Sequence, residues 1–478
     1  MLRRCTCILI AYSGLALPAV SDEVLRVETN AFDKDPGWEG FRNRLLPDPL
    51  PITRQDFGYR TTRHAGGAGL GEIGGRVERS TTPASYAMAI PERSLDEPLS
   101  ASGKLAVPAA EGGSGVMIGW FHETSRGWRT PNSLAFRIDG NGGKYWLFYE
   151  YGTRNWKTGG GGAFEGEQYQ RTPTRPFAAD ETTHRWQLDY DPRAADGNGQ
   201  ITFRIDDRSY RVDLAPGHRA DGATFNRFGI WNVQTPGDEL DVYLDDLVVD
   251  GRSYSFDADP GWEGSGNAAE FAERVIRPYH DFGFSPTRHC GSAGGEIGGI
   301  VFRDERPAYY GAPTGSLTLD DELVASGKLV LAKAGSDSGA YIGWFDSATK
   351  RANETPEHVR RQSNVLGIVL EGPSRVGHYF RPGYSNRAGV GMTADGSEGW
   401  PVVRPDGQQH SWRLHYRPDA AEGRGQIELS LDGISRTLDL APTHRAGGAR
   451  FDRFGIFNLQ SGGHHVELYL DDVSFSRR

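Results

Sequence analysis

The sequence predicts an all-β protein: two tandem β-sandwich domains of jelly-roll type after a secretory leader. Three observations carry that expectation. Short segments alternate apolar and polar residues between Gly, Pro, Asn and Asp; the same segments recur in the same order in both halves; and no window offers a long capped helical pattern.

A chain of 478 residues is long enough for two or three domains, each burying its own core. Its 64 glycines and 27 prolines supply the turns that many short strands require. The formal charge of −10 argues against a general nucleic-acid or anionic-membrane binder, since both need excess Lys and Arg.

The elements follow in chain order. Met1-Leu2-Arg3-Arg4 is a positive start, Cys5 to Ala16 an apolar stretch and Ala19-Val20-Ser21 a small-x-small cleavage site, so residues 1–21 read as a signal peptide. A secreted or periplasmic location is expected. No later window approaches the roughly 18 apolar residues of a spanning helix, so no membrane insertion is expected. Cys5 and Cys7 fall in the leader, which leaves Cys290 alone in the mature chain and excludes an intrachain disulfide.

Two copies follow. FDKDPGWEG at Phe32 returns as FDADPGWEG at Phe256, IGWF at Ile118 returns at Ile342, and GHRADGATFNRFGIWN at Gly217 is answered by THRAGGARFDRFGIFN at Thr443. Trp38 and Trp262 are 224 residues apart, as are Trp120 and Trp344, while Trp186 and Trp412 are 226 apart. Near-constant offsets mean whole duplicated domains, expected over residues 22–252 and 253–478 and able to fold separately. Within a copy, SLAFRID (Ser133), KYWLFY (Lys144), RWQLDYD (Arg185), QITFRIDD (Gln200), FGIWNV (Phe228) and LDVYLDDLVV (Leu240) read as strands. The three recurring Trp pairs are expected in the cores, and GGGGAF after Trp156 reads as a flexible loop.

An opening Phe-Asp strand with an early Trp, a W-x-L-x-Y-D-P strand, G-x-G-Q-I, R-F-G-I and a closing Y-L-D-D strand resemble the concanavalin A-like lectin/glucanase superfamily, including laminin-G-like domains, over nearly all of both halves. The resemblance implies a jelly roll and leaves lectin, glycoside hydrolase, polysaccharide lyase and adhesion module open. The paired-acid E-x-D-x-x-E strand of laminarinase-like glucanases is absent, which argues against a retaining glucanase.

Candidate site residues come from four features. DFGYRTTRHAGGAGLGEIGG at Asp56 and DFGFSPTRHCGSAGGEIGG at Asp281 place Arg63, His64 and Glu72, and Arg288, His289 and Glu296, around a glycine-rich gap in a sheet. Either the gap takes a ligand, or Arg, His and Glu brace the loop. In the middle strands, aligning Phe380 with Phe148 as core residues leaves Tyr145, Tyr149 and Tyr151 on the open face of copy 1 and Tyr379 and Arg381, with Tyr384 just beyond, on that of copy 2. The run Tyr379 to Tyr384 is similar to the Y-F-K-A-G-x-Y motif of alginate-lyase-type jelly rolls, which implies an aromatic hydroxyl in proton transfer; a solvated sheet face is the alternative. Trp128, Trp146 and Trp156 occur only in copy 1, either as sugar-stacking platforms or as core. Finally, Asp35, Asp246, Asp259 and Asp472 lie where the first and last strands of a copy should meet, and are expected to hold one structural calcium per domain or to keep edge strands soluble. His464-His465 reads as a solvated turn and Cys290 as inert packing.

The expected function is recognition of an extracellular polysaccharide through the sheet faces, by a monomer whose tandem copies raise avidity. The alternatives are a lyase or hydrolase acting on a uronate-containing glycan, with His289, Tyr379, Arg381, Arg288 and Glu296 catalytic in the second domain, and an adhesive surface module. Arg63, His64, Glu72, Tyr145, Tyr149, Trp156 and Tyr384 are the expected substrate-binding set.

Overall fold

Alternation of buried and part-exposed residues marks the strands with one solvent-facing side, while central strands such as Gly115–Phe121 and Ser338–Phe345 are buried throughout. In Gln200–Ile205 the alternation buries Ile201, Phe203 and Ile205, and in Gln426–Leu431 it buries Ile427, Leu429 and Leu431. The computed structural model describes residues 24–163, 177–291, 294–348, 362–374, 377–395 and 399–478, the side chains of residues 373 and 374 excepted. The leader expected over residues 1–21 lies outside the described residues. Among them the α-helices are single turns, His218–Asp221 and Ala420–Gly423. No helix among them is long and apolar enough to cross a membrane.

Two antiparallel sandwiches result. In the first unit, one sheet runs Arg208–Asp213, Gln200–Ile205, His184–Asp191, Leu99–Ala110, Glu239–Val249, Glu72–Glu78, Ile52–Arg60 and Ala268–Ala272, with Arg252–Tyr254 also on Glu239–Val249. Facing it is Thr158–Gly162, Lys144–Gly152, Ser133–Gly140, Gly115–Phe121, Thr224–Asn232, Ser85–Ser94 and Glu263–Ser265. The run expected to be a flexible loop after Trp156 is thus partly an edge strand, Thr158–Gly162, paired with Lys144–Gly152.

The second unit repeats the plan. Asp281–Ser285, Glu296–Phe302, His465–Arg477, Leu323–Ala334, Gln409–Arg417, Gln426–Leu431 and Ile434–Asp439 form one sheet, and Glu39–Phe41, Tyr309–Thr318, Arg450–Asn458, Ser338–Phe345, Val365–Ser374, Gly377–Ser385 and Gly391–Thr393 the other. Trp120 packs edge-on to Phe228 at 5.1 Å in the first core, and Trp344 on Phe454 at 5.0 Å in the second. Trp186 and Trp412 are buried as expected.

The opening segments of the two copies are exchanged. Arg26–Asn30 pairs with Val473 to Arg477 and Glu39–Phe41 with Tyr309 to Gly311, so Phe32 and Trp38 enter the second core. Arg252–Tyr254, Glu263–Ser265 and Ala268–Ala272 pair with strands of the first unit, whose core takes Phe256 and packs against Trp262. The boundary at 252/253 therefore separates sequence copies and not sheets; the chain passes to the second unit between Glu273 and Asp281.

The reason is local. Val249 pairs with Arg252 across Asp250-Gly251, with φ of 47° and 83°, a two-residue turn of the type that Asp-Gly forms most readily. Closing this short hairpin costs less chain entropy than bringing in residues 24–44 from the far side of the domain. Phe256 and Phe32 occupy equivalent positions, both at positive φ. A Cβ on Gly71 would lie 1.8 Å from the Phe256 carbonyl oxygen, and one on Gly295 1.9 Å from that of Phe32, so these glycines exist to admit the exchanged backbone.

A fragment of residues 45–273 should therefore melt cooperatively on its own, whereas Asp22 to Gly251 should melt much lower or not cooperatively by calorimetry. Phe256→Ala in the full chain should cost the first unit about 3–5 kcal/mol. Equal melting of both fragments would contradict the exchange.

Candidate functional site

The glycine-rich Arg-His loops are held from beneath by their glutamates. Glu72, fully buried, accepts from the Thr62 hydroxyl at 2.6 Å, the His64 amide at 2.9 Å and the Ala65 amide at 2.8 Å. Glu296 takes the Thr287 hydroxyl and the amides of His289 and Cys290 in the same way. A buried carboxylate with three donors is a brace. The gap expected to receive a ligand is filled by the exchanged Phe carbonyls, so Glu72 and Glu296 are removed from any substrate. Arg63 donates through Nε to the Gly67 carbonyl at 2.8 Å, and Arg288 is exposed.

The histidines lie flat on tyrosines of the outer sheet face, His64 on Tyr243 at 4.2 Å and His289 on Tyr469 at 4.0 Å. The copies differ here. His289 Nδ1 is 2.7 Å from Glu296 Oε1, whereas the nearest carboxylate to His64 Nδ1 is Glu181 at 3.8 Å. Cys290 is buried and its thiol pKa is raised by burial, consistent with inert packing.

The middle strands correct the face assignment. Leu134 pairs with Tyr151, and Leu366 with Tyr384, which aligns Phe380 with Leu147 and not with Phe148. A one-residue slip inverts both faces. Tyr145 and Tyr149 are core residues, not an open binding face. Tyr384 is also core: its hydroxyl meets His444 Nδ1 at 2.9 Å and accepts the Ala441 amide at 2.8 Å, just as Tyr151 meets His218 Nδ1 at 2.9 Å and accepts the Ala215 amide at 3.0 Å.

Tyr379 and Arg381 do face outward, with Arg381 bonded to Glu371 at 2.6 Å and to the Ala394 carbonyl at 3.0 Å. They lie on the outer face of one sheet and His289 on that of the other, with the core between them. The expected catalytic group therefore does not converge. In the first unit the equivalent cross-strand pair is Arg137 opposite Phe148, with Arg137 buried between Asp139 and Glu150 and 5.1 Å from the Trp128 ring. At this cross-strand pair each unit keeps an arginine, from neighbouring strands.

Each of the four acidic residues has a partner within the protein. The segment exchange sends Asp35 to the Tyr310 hydroxyl in the second unit, while Asp246 pairs with Lys104 at 2.7 Å and Asp472 with Lys328 at 2.7 Å. Asp259 accepts the Gly261 amide. Among the described residues no three His, Cys, Asp or Glu side chains are grouped to hold a metal ion.

What the structure brings together instead is a trough where the two units meet. A cleft of about 570 Å³ is lined by Arg126, Gly127, Trp156 and Gln234 of the first unit and by Lys333, Asp406 and His465 of the second. It shares Thr81, Thr82 and Lys333 with a neighbouring cleft of about 730 Å³, and Ser125, Arg126 and Gln234 with one of about 300 Å³. Trp128 and Trp146 are buried, but Trp156 is only part-buried, with a φ of 63°. A bulky residue in that region is held by its surroundings. Here Asp221 braces the turn, binding Asn155 Nδ2 at 3.0 Å and Lys157 Nζ at 3.4 Å, and Arg404 of the second unit donates to the Asn155 carbonyl at 2.9 Å.

His465, expected in a solvated turn, is buried in the trough wall and neither ring nitrogen has a hydrogen-bond partner among the described residues. Burial pulls its pKa down to about 3. Of the expected binding residues only Trp156 lines this trough; Arg126, Gln234, Lys333 and Asp406 carried no motif, because each unit contributes only one wall.

No family model and no curated protein matches the sequence. Among solved structures, domains LG4-5 of the mouse laminin alpha1 chain align with 91% of this chain and 92% of theirs, at 10% identity and a TM-score of 0.25. Lectin UEA-II complexed with galactose aligns with 43% of this chain and 96% of its own, at 11% identity and a TM-score of 0.26. Alginate lyase Aly36B in complex with alginate trisaccharide aligns with 41% and 88%, at 9% identity and a TM-score of 0.24.

Behind the first brace, Asp245 is buried with Oδ2 unpartnered, and burial together with the nearby Asp246 and Glu72 charges pushes its carboxyl up to about 6. A raised carboxyl pKa favours folding below the unfolded value, and that contribution is lost as pH rises through about 6. Asp245→Asn should therefore raise the melting temperature at about pH 8, with the gain shrinking toward pH 4. A gain independent of pH, measured by calorimetry, would contradict this account.

Proposed function

We propose that this protein recognises an extracellular polysaccharide along the trough between its two units, with Trp156 as the stacking platform. The observation that carries the reading is Trp156, part-buried and held at positive φ in a cleft that continues into two others through shared lining residues. An open, continuous trough suits a run of sugar rings better than one small molecule. Sugar faces stack on indole, while Arg126, Gln234, Lys333 and Asp406 offer the donors and acceptors that hydroxyls need.

A second reading, cleavage of a uronate-containing polysaccharide, is favoured by one observation. His289 gives Nδ1 to buried Glu296 at 2.7 Å, and its ring is part-exposed beside exposed Arg288. A neutral imidazole so oriented would take the C5 proton through Nε2 while Arg288 neutralises the carboxylate; the C4–C5 double bond forms as the C4–O bond breaks, and the departing oxygen takes a proton from solvent. Tyr379 and Arg381, on the opposite outer face, take no part.

Affinity electrophoresis through gels containing neutral and acidic polysaccharides tests the first reading. At least one polysaccharide should retard the protein, and Trp156→Ala should weaken that retention about tenfold or more, ~1.4 kcal/mol, with the melting temperature unchanged. No retention, or retention indifferent to the substitution, rejects it. An ultraviolet-absorbing unsaturated product that disappears in His289→Ala would establish the second; its absence leaves binding alone.

A further inference from the structure

Each sandwich has a closing groove that receives a Phe-Asp-x-Asp-Pro-Gly-Trp-Glu-Gly segment, and the two grooves are filled differently. In the first unit the occupant is the next stretch of chain, delivered by the Asp250-Gly251 hairpin. In the second it is a distant stretch: Thr29 and Ser474, whose hydroxyls are 2.9 Å apart, are separated by 445 residues. That segment reaches the first unit only through Pro47-Asp48-Pro49-Leu50-Pro51, a stiff connector leading into the Ile52–Arg60 strand.

The acceptor is specific for the segment. Phe32 and Trp38 are buried in the second core, Trp38 packing edge-on to Phe32 at 5.4 Å and to Phe475 at 5.7 Å. Glu39 binds Arg453 and the Tyr309 hydroxyl, and Glu28 binds Arg477. Strand pairing at Arg26–Asn30 and Glu39–Phe41 fixes the register. Nothing in this set depends on the segment belonging to the same chain.

We propose that the closing groove of the second unit is an interaction site for the N-terminal segment of a second copy of this protein, so that chains join head to tail by exchanging residues 24–44. Every contact is conserved on exchange, and only the path of the proline-rich connector changes. Because donor and acceptor are different surfaces, the exchange propagates into an open array or closes into a ring. Arg44 travels with the donor and lines the larger cleft of the trough, so an exchanged array carries composite troughs along its length.

The test uses two chains beginning after Ser21, both carrying Cys290→Ala, one with Thr29→Cys and the other with Ser474→Cys. They are denatured together and refolded under oxidising conditions at about 1 mM, where an intermolecular donor competes with a tethered one. The expected result is a disulfide between chains linking positions 29 and 474, identified by peptide mass spectrometry and rising with protein concentration. The doubly substituted chain refolded dilute should close within itself. If the dilute chain closes but the mixture yields no link between chains, the groove accepts only its own tether and the proposal fails. If neither forms the link, the segment does not occupy the groove and the proposal fails at its premise.

Discussion

The close approach of the exchanged phenylalanine carbonyl to a glycine is the constraint on which the rest of this structure depends. Phe256 over Gly71 and Phe32 over Gly295 seat a backbone where any Cβ would clash. Once seated, the same segment delivers its aromatic side chain to the core and adds strands to both sheets of the sandwich. Burying a Phe and a Trp contributes several kcal/mol, a large share of a domain's net stability. The glycine run beside each glutamate is thus explained by packing.

That seating also organises the polar residues around it. With the groove closed, Glu72 and Glu296 are cut off from water and must be satisfied internally, which the amides and hydroxyl of the preceding loop accomplish. Lys104 and Lys328 neutralise the aspartates at the bulged end of each closing strand. The repeated Arg-His pair is therefore first a product of fold. The copies part at the contact between His289 and Glu296 and at Trp156, among other positions.

The trough inherits its walls from the exchange. Arg44 comes from the N-terminal segment, Phe271 and Ala272 end the Ala268–Ala272 strand and residues 273 to 275 follow it, and Glu263 and Ser265 belong to the strand added to the facing sheet. A chain divided at the sequence boundary would lose these contributions together with the core residues. The trough walls and the closure of the sandwiches are in this sense one structural fact.

The sequence by itself determined the all-β class, the duplication and the four central tryptophans, because alternation and repeat spacing are local signals written residue by residue. It also marked Trp156 as an aromatic outside the repeat. It placed Tyr145, Tyr149 and Tyr151 on the wrong face, since a strand with aromatic residues at consecutive positions carries no internal mark of which set points inward, and a slip of one inverts both. The Asp-Gly hairpin at 250 and 251 was legible but lay where the copies meet, so it read as a boundary rather than a turn. Tertiary structure alone decided which copy each opening segment completes, that His289 and Arg381 stand on opposite outer faces, and that one trough draws residues from both units. Each of these depends on contacts between residues hundreds of positions apart, set by the free energy of filling a core and not by any local pattern.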